Sequence, residues 1–91
     1  MIGYVLKLEN SMWYVGITNN LENRMIQHFS GEGSAWTKLH KPVKIYGAWK
    51  LQGLWKDWEK DRTLTLMKQH GWENVRGAGW CQCNLRKPKC I

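Results

Sequence analysis

The sequence predicts an α+β domain, a small three-stranded antiparallel sheet flanked by helices in the order β-β-α-α-β-α. Three observations carry this. Two strand-like runs, residues 2–8 and 12–17, flank the turn residues Glu9-Asn10-Ser11. Segments starting near Asn20 and Leu54 space their apolar residues for helices. A third strand-like run, residues 43–51, lies between them.

The totals set the frame. The 91 residues, 43% hydrophobic with seven tryptophans, suffice for one domain with its own core. We read residues 1–76 as the core and 77–91 as an irregular, basic, Cys-containing tail of the same domain. No apolar run approaches the about 20 residues of a membrane span, and the N-terminus lacks a signal-peptide pattern, so the expectation is an intracellular, cytoplasmic protein without membrane contact. Net charge is +7, from 14 Lys and Arg against 7 Asp and Glu, which favours a polyanionic partner. Cys81, Cys83 and Cys90 are odd in number and crowd the C-terminus, which speaks against a disulfide scaffold. Their spacing is not a standard zinc pattern, and reduced thiols are favoured over a small metal knuckle.

In chain order, residues 2–8 carry Tyr4 on the first strand, and residues 12–17 return with Tyr14 and Gly16 on the second. The turn length decides whether the two tyrosines share a face. Asn19 or Asn20 caps the first helix, where Arg24 and His28, four apart, are neighbours. Leu21, Met25 and Phe29 form the adjacent apolar stripe, with Ile26 near its edge. Ser30-Gly31-Glu32-Gly33 stops that helix. Ser34 caps a short second helix reaching His40, and Pro42 ends it. Residues 43–51 form the third strand. The long helix spans residues 54–69, with Leu54, Trp55, Trp58, Thr65 and Leu66 on one side and Glu59 at the margin. Residues 72–91 read as irregular.

Tyr4, the segment Tyr14-Val15-Gly16, Arg24 and His28 together resemble the GIY-YIG nuclease family. The first signature stands here as Ile2-Gly3-Tyr4, with its letters out of order, and the second as Tyr14-Val15-Gly16. The run from Ile17 to Arg24, the stretch from Ser30-Gly31 to Trp36-Thr37, and His40 with Pro42 are similar to the family's following sections. Glu59 fits its metal-binding glutamate, and Asn74 fits a polar residue of the phage homing-endonuclease branch. The resemblance covers roughly residues 2–76.

It implies a small stand-alone endonuclease of phage or bacterial type that hydrolyses DNA phosphodiesters with one Mg²⁺ or Mn²⁺ ion. In that reading Arg24 stabilises charge on the phosphate oxygens and Glu59 holds the metal. Tyr4 is the general base, supported by Tyr14, with nearby positive charge needed to depress its phenol. His28 orients a tyrosine or relays its proton, with His40 and Asn74 in supporting places. Asp57 and Asp61 flank Glu59 and are alternative ligands. Lys38, Lys41, Lys44, Lys50, Arg86, Lys87 and Lys89 would contact the DNA backbone. Trp13, Trp36 and Trp72 are candidates for stacking on unpaired bases. The rival from another class is a non-catalytic nucleic-acid-binding module that retains the fold.

Overall fold

The computed structural model describes residues 1–53 and 55–89. Within them β1 (Ile2–Leu8) and β2 (Trp13–Thr18) form a hairpin, followed by α1 (Leu21–Phe29), α2 (Ala35–Leu39), β3 (Pro42–Lys50), α3 (Trp55–His70) and β4 (Val75–Gly77). The hairpin closes through a single 3-10 turn, Glu9–Ser11, in which Asn10 and Ser11 both take φ of 62°. Asparagine tolerates that left-handed conformation better than most residues.

The sheet has four strands in the order β3-β1-β2-β4. The expected three-stranded antiparallel sheet is therefore corrected to a mixed one. β1 pairs antiparallel with β2 and β3, whereas β4 runs parallel to β2, Trp13 facing Val75 and Val15 facing Gly77. A three-residue strand is too short to show periodicity. A parallel partner also arrives by a crossover, here α3, and leaves no local turn signal.

The register decides which side chains meet. Tyr4 lies opposite Gly16 and Leu6 opposite Tyr14, so even-numbered residues of both strands share one face. On that face Tyr4, Leu6, Leu8 and Tyr14 pack with Met25 of α1 and Trp36 of α2. On the other, Val5, Trp13, Val15 and Val75 pack with Leu66 and Met67 of α3. The sheet is thus covered by helices on both sides.

Helix ends follow the sequence closely. The Asn20 side chain accepts from the Asn23 amide at 3.0 Å, and Ser34 accepts from the Thr37 amide at 3.2 Å. Helix faces are less faithful. In α1 Met25 is buried and Leu21 half-buried, but Phe29 and Ile26 are exposed. In α3 the buried positions are Thr63, Leu66 and Met67; Thr65 points to solvent, and Leu54 lies outside the described residues. Thr63 takes the inward place because its hydroxyl donates to the Glu59 carbonyl at 2.7 Å and its small side chain fits against Gly77.

The tail is tied down by one cation. Arg76, on β4 and 3% exposed, donates from Nε to the Gln82 carbonyl (2.6 Å), from Nη2 to Cys83 (3.0 Å) and from Nη1 to Val75 (2.9 Å) and Trp72 (3.1 Å). Its guanidinium also lies 4.2 Å over the Trp36 ring. Carbonyl dipoles and a π face replace the carboxylate that a buried charge ordinarily requires.

Candidate active site

The site begins with two tyrosines on one face of a hairpin. Tyr4 reaches across β2 over Gly16, where a Cβ would overlap its hydroxyl. That is the physical use of the second signature's glycine. The Tyr4 hydroxyl oxygen lies 2.8 Å from Nε2 of His28, on α1. Nδ1 of His28 lies 3.0 Å from the Thr37 hydroxyl oxygen, on α2, and that hydroxyl donates to the Ser34 carbonyl at 3.1 Å.

With the Thr37 hydroxyl donating to the Ser34 carbonyl, which only accepts, the chain runs in one direction. Thr37 gives its proton to Ser34, its oxygen takes Nδ1–H, and the Nε2 lone pair is left for Tyr4. His28 is fully buried, and burial followed by the charge of Arg24 holds its pKa down at about 4. It is therefore neutral near pH 7. Gly33 permits this packing, since a Cβ there would overlap the His28 ring.

Tyr14 completes the cluster. Its ring centroid is 5.2 Å from that of His28 and 6.3 Å from that of Tyr4. Burial pushes both phenols above the ordinary value, and their mutual proximity raises Tyr4 further. Arg24 pulls both down and is outweighed. The expectation that positive charge depresses Tyr4 is thus reversed in the chain alone: desolvation wins. Arg24, half-buried on α1, donates to Gln27 Oε1 at 2.8 Å while its charge reaches both tyrosines.

Glu59 comes from the opposite layer. Its half-buried carboxyl is pushed up by burial and drawn back by the Ala78 backbone amide, and its charge raises Tyr4. Glu59 and Tyr4 are therefore within electrostatic reach. Asp57 and Asp61 are exposed. Cys81 joins from the tail, coupled to Tyr14 and to Glu59.

The remaining expected site residues make the following contacts. The Asn74 amide donates to the His70 carbonyl at 2.7 Å and closes the end of α3. His40 caps α2 and sets its ring edge-on to Trp36 at 4.4 Å. Trp36 is buried, donating from Nε1 to the carbonyl of Trp13, itself buried; Trp72 is half-buried. Lys38, Lys41, Lys44, Lys50, Arg86, Lys87 and Lys89 are all exposed. Lys38 and Lys41 line an open cleft of about 230 Å³ behind His28 and Thr37. The sequence places Gly33 in the stop after α1 and Thr37 in a stretch similar to the family's, but gives neither a role at His28. The Ser34-x-x-Thr37 spacing at a helix start is a further signal for Thr37.

The donor set has a definite preference. Among the described residues no three His, Cys, Asp or Glu side chains converge on a point. Cys81 and Cys83 are free thiols, and Cys90 lies outside those residues. A single carboxylate, Glu59, within electrostatic reach of Tyr4 would suit Mg²⁺ or Mn²⁺, which keep water and take further oxygens from a phosphate. It does not fit a closed zinc centre.

Among the described residues no helix is long and apolar enough to cross a membrane. A family model described as the GIY-YIG catalytic domain matches residues 3–65. The chain is similar to the UPF0213 protein of Bacillus pumilus (strain SAFR-032), 42% identical over 43 residues, 47% of this chain and 44% of that protein. It is 40% identical over 42 residues to UPF0213 protein YazA of Bacillus subtilis (strain 168), 46% of this chain and 42% of that protein. The UPF0213 protein of Xanthomonas campestris pv. campestris (strain 8004) is 38% identical over 42 residues, 46% of this chain and 41% of that protein. The chain spans about half the length of the curated relatives it matches. No solved structure matches. With most of its length covered by the family model, and with the second signature's glycine supporting the Tyr4 hydroxyl, this chain belongs to the GIY-YIG family.

Proposed function

We propose that the chain hydrolyses DNA phosphodiester bonds with one divalent cation, Mg²⁺ or Mn²⁺. The observation that carries this is the Tyr4–His28 bond: a phenol oxygen 2.8 Å from Nε2 of a neutral imidazole. Such a pair moves a proton without Tyr4 ionising first. As water attacks phosphorus, its proton passes to the Tyr4 oxygen and the Tyr4 proton passes to His28 Nε2. Thr37 keeps Nδ1–H engaged, so Nε2 remains the acceptor. Arg24 binds the non-bridging phosphate oxygens, where charge grows. Glu59 is the residue that would hold the cation, which when bound supplies Lewis acidity to the phosphate. Tyr14 walls the site and hydrogen-bonds the phosphate. The exposed lysines on α2 and β3 and the basic tail bind backbone phosphates without reading sequence.

A second reading draws on one observation. Tyr4 is 1% exposed, so in the free chain its hydroxyl is shut away from bulk water. A module that binds nucleic acid without cutting it needs no access to that hydroxyl. Incubation of plasmid, single-stranded and branched DNA with Mg²⁺, Mn²⁺ or EDTA separates the two. The nuclease cuts at least one substrate only with metal, and Glu59→Gln binds without cutting. Binding with no cleavage on any substrate hands the case to the module.

A further inference from the structure

We infer that the open pocket beside Glu59 is a nucleobase subsite, holding one unpaired base next to the phosphate being cut. This deepens the nuclease reading and rests on it for the word "cut", but its binding claim stands by itself. The pocket measures about 420 Å³ and is walled by Trp55, at the start of α3, and by Trp80, in the turn after β4, with Lys56, Lys60 and Glu59 on its rim. Its size lies within the roughly 300–1,000 Å³ of small-ligand sites. Two indoles beside two ammonium groups match the two halves of a nucleotide, a flat aromatic base and an anionic phosphate.

Three observations narrow the occupant. Lys56 Nζ lies 5.3 Å over the Trp55 ring, so a cation already stands at the aromatic wall. Trp80 is held from behind, its amide donating to the Gly77 carbonyl at 2.8 Å and its ring half-buried against the α3 side of the core. Glu59 lines this pocket, so a base held here lies next to the residue assigned to the cation. A paired base cannot enter, because its Watson–Crick edge and its stacked neighbours occupy the same space. The subsite therefore selects single strands, flaps or extrahelical nucleotides over uninterrupted duplex. It also moves the stacking role away from the buried Trp13 and Trp36.

The test is fluorescence anisotropy in EDTA, which keeps binding apart from cleavage. The oligonucleotides are a labelled 12-nucleotide poly(dT), the same length with abasic tetrahydrofuran residues throughout, and a blunt 12-base-pair duplex. The protein binds poly(dT) more tightly than the abasic strand by about tenfold or more, since both carry the same phosphates. Trp55→Ala and Trp80→Ala each lose about tenfold on poly(dT) and little on the duplex. Trp55→Phe and Trp80→Phe, which keep an aromatic face, recover most of it. Equal affinity for the base-bearing and abasic strands, or equal losses on poly(dT) and duplex, overturns the subsite. If these binding results hold while no substrate is cut, the subsite stands and the nuclease reading fails.

Discussion

Nδ1 of His28 and the hydroxyl oxygen of Thr37 lie 3.0 Å apart, joining α1 to α2 inside the core and fixing which imidazole nitrogen faces Tyr4. Thr37→Val removes the acceptor at nearly constant volume and leaves a buried N–H unpaired. We expect a loss of about 1–3 kcal/mol in stability and a rate of cleavage reduced about tenfold, with substrate affinity unchanged. Thr37→Ser keeps the acceptor and restores the rate. Denaturant melts beside single-turnover cleavage check both. Equal rates for Thr37→Val and wild type would remove Thr37 from the relay.

The depressed pKa of His28 makes folding depend on pH. The folded chain holds this imidazole at about 4, against about 6.5 when unfolded. Between those values the unfolded state binds more protons, so stability rises with pH through the window. The contribution is complete above about pH 6.5 and fades as pH falls to 4, by up to about 3 kcal/mol. Glu59, whose carboxyl is raised, contributes in the opposite sense at the acid end, so the measurement is a difference. Urea midpoints at pH 7.5 and pH 5 should separate more for wild type than for His28→Gln. Equal separations would contradict the assignment.

Gly16 is where the signature turns into packing. A methyl group there overlaps the Tyr4 hydroxyl and is flanked by strand β1, which cannot retreat without breaking the hairpin. Gly16→Ala is expected to displace the phenol from His28, abolish cleavage and cost about 1–3 kcal/mol. The Tyr4 hydroxyl proton, slowed in exchange by its bond to His28, reports the displacement by NMR.

Arg76 gives a stability prediction independent of catalysis. Arg76→Met keeps the apolar stem and strands the carbonyls of Trp72, Val75, Gln82 and Cys83. The loss should be about 3 kcal/mol or more, with residues after Gly77 exchanging amide hydrogens fastest. Unchanged protection in the tail would show that Arg76 does not anchor it.

Local chemistry was readable from the sequence; long-range pairing was not. Asn20 and Ser34 were visible as caps because a cap is a matter of three residues. The shared face of Tyr4 and Tyr14 needed the register, which the hairpin turn sets. β4 leaves no signal in the sequence because three residues carry no period and their partner strand lies beyond a sixteen-residue helix. The α3 face departs from apolar spacing at Thr65, since hydroxyl-to-backbone bonding at Thr63 and close packing on Gly77 override it. Asn74, which fits the family by resemblance, donates to the His70 carbonyl at the end of α3. The high phenol of Tyr4 was beyond reach of any spacing argument, because desolvation depends on what α1 and α2 place over it.

The proposal that Tyr4 passes the proton is tested most directly by Tyr4→Phe under single-turnover conditions with Mn²⁺, on whichever DNA substrate wild type cuts. Removing one oxygen should slow cleavage at least about 100-fold, while affinity in EDTA and the thermal midpoint stay close to wild type. Cleavage by folded Tyr4→Phe at the wild-type rate would contradict it.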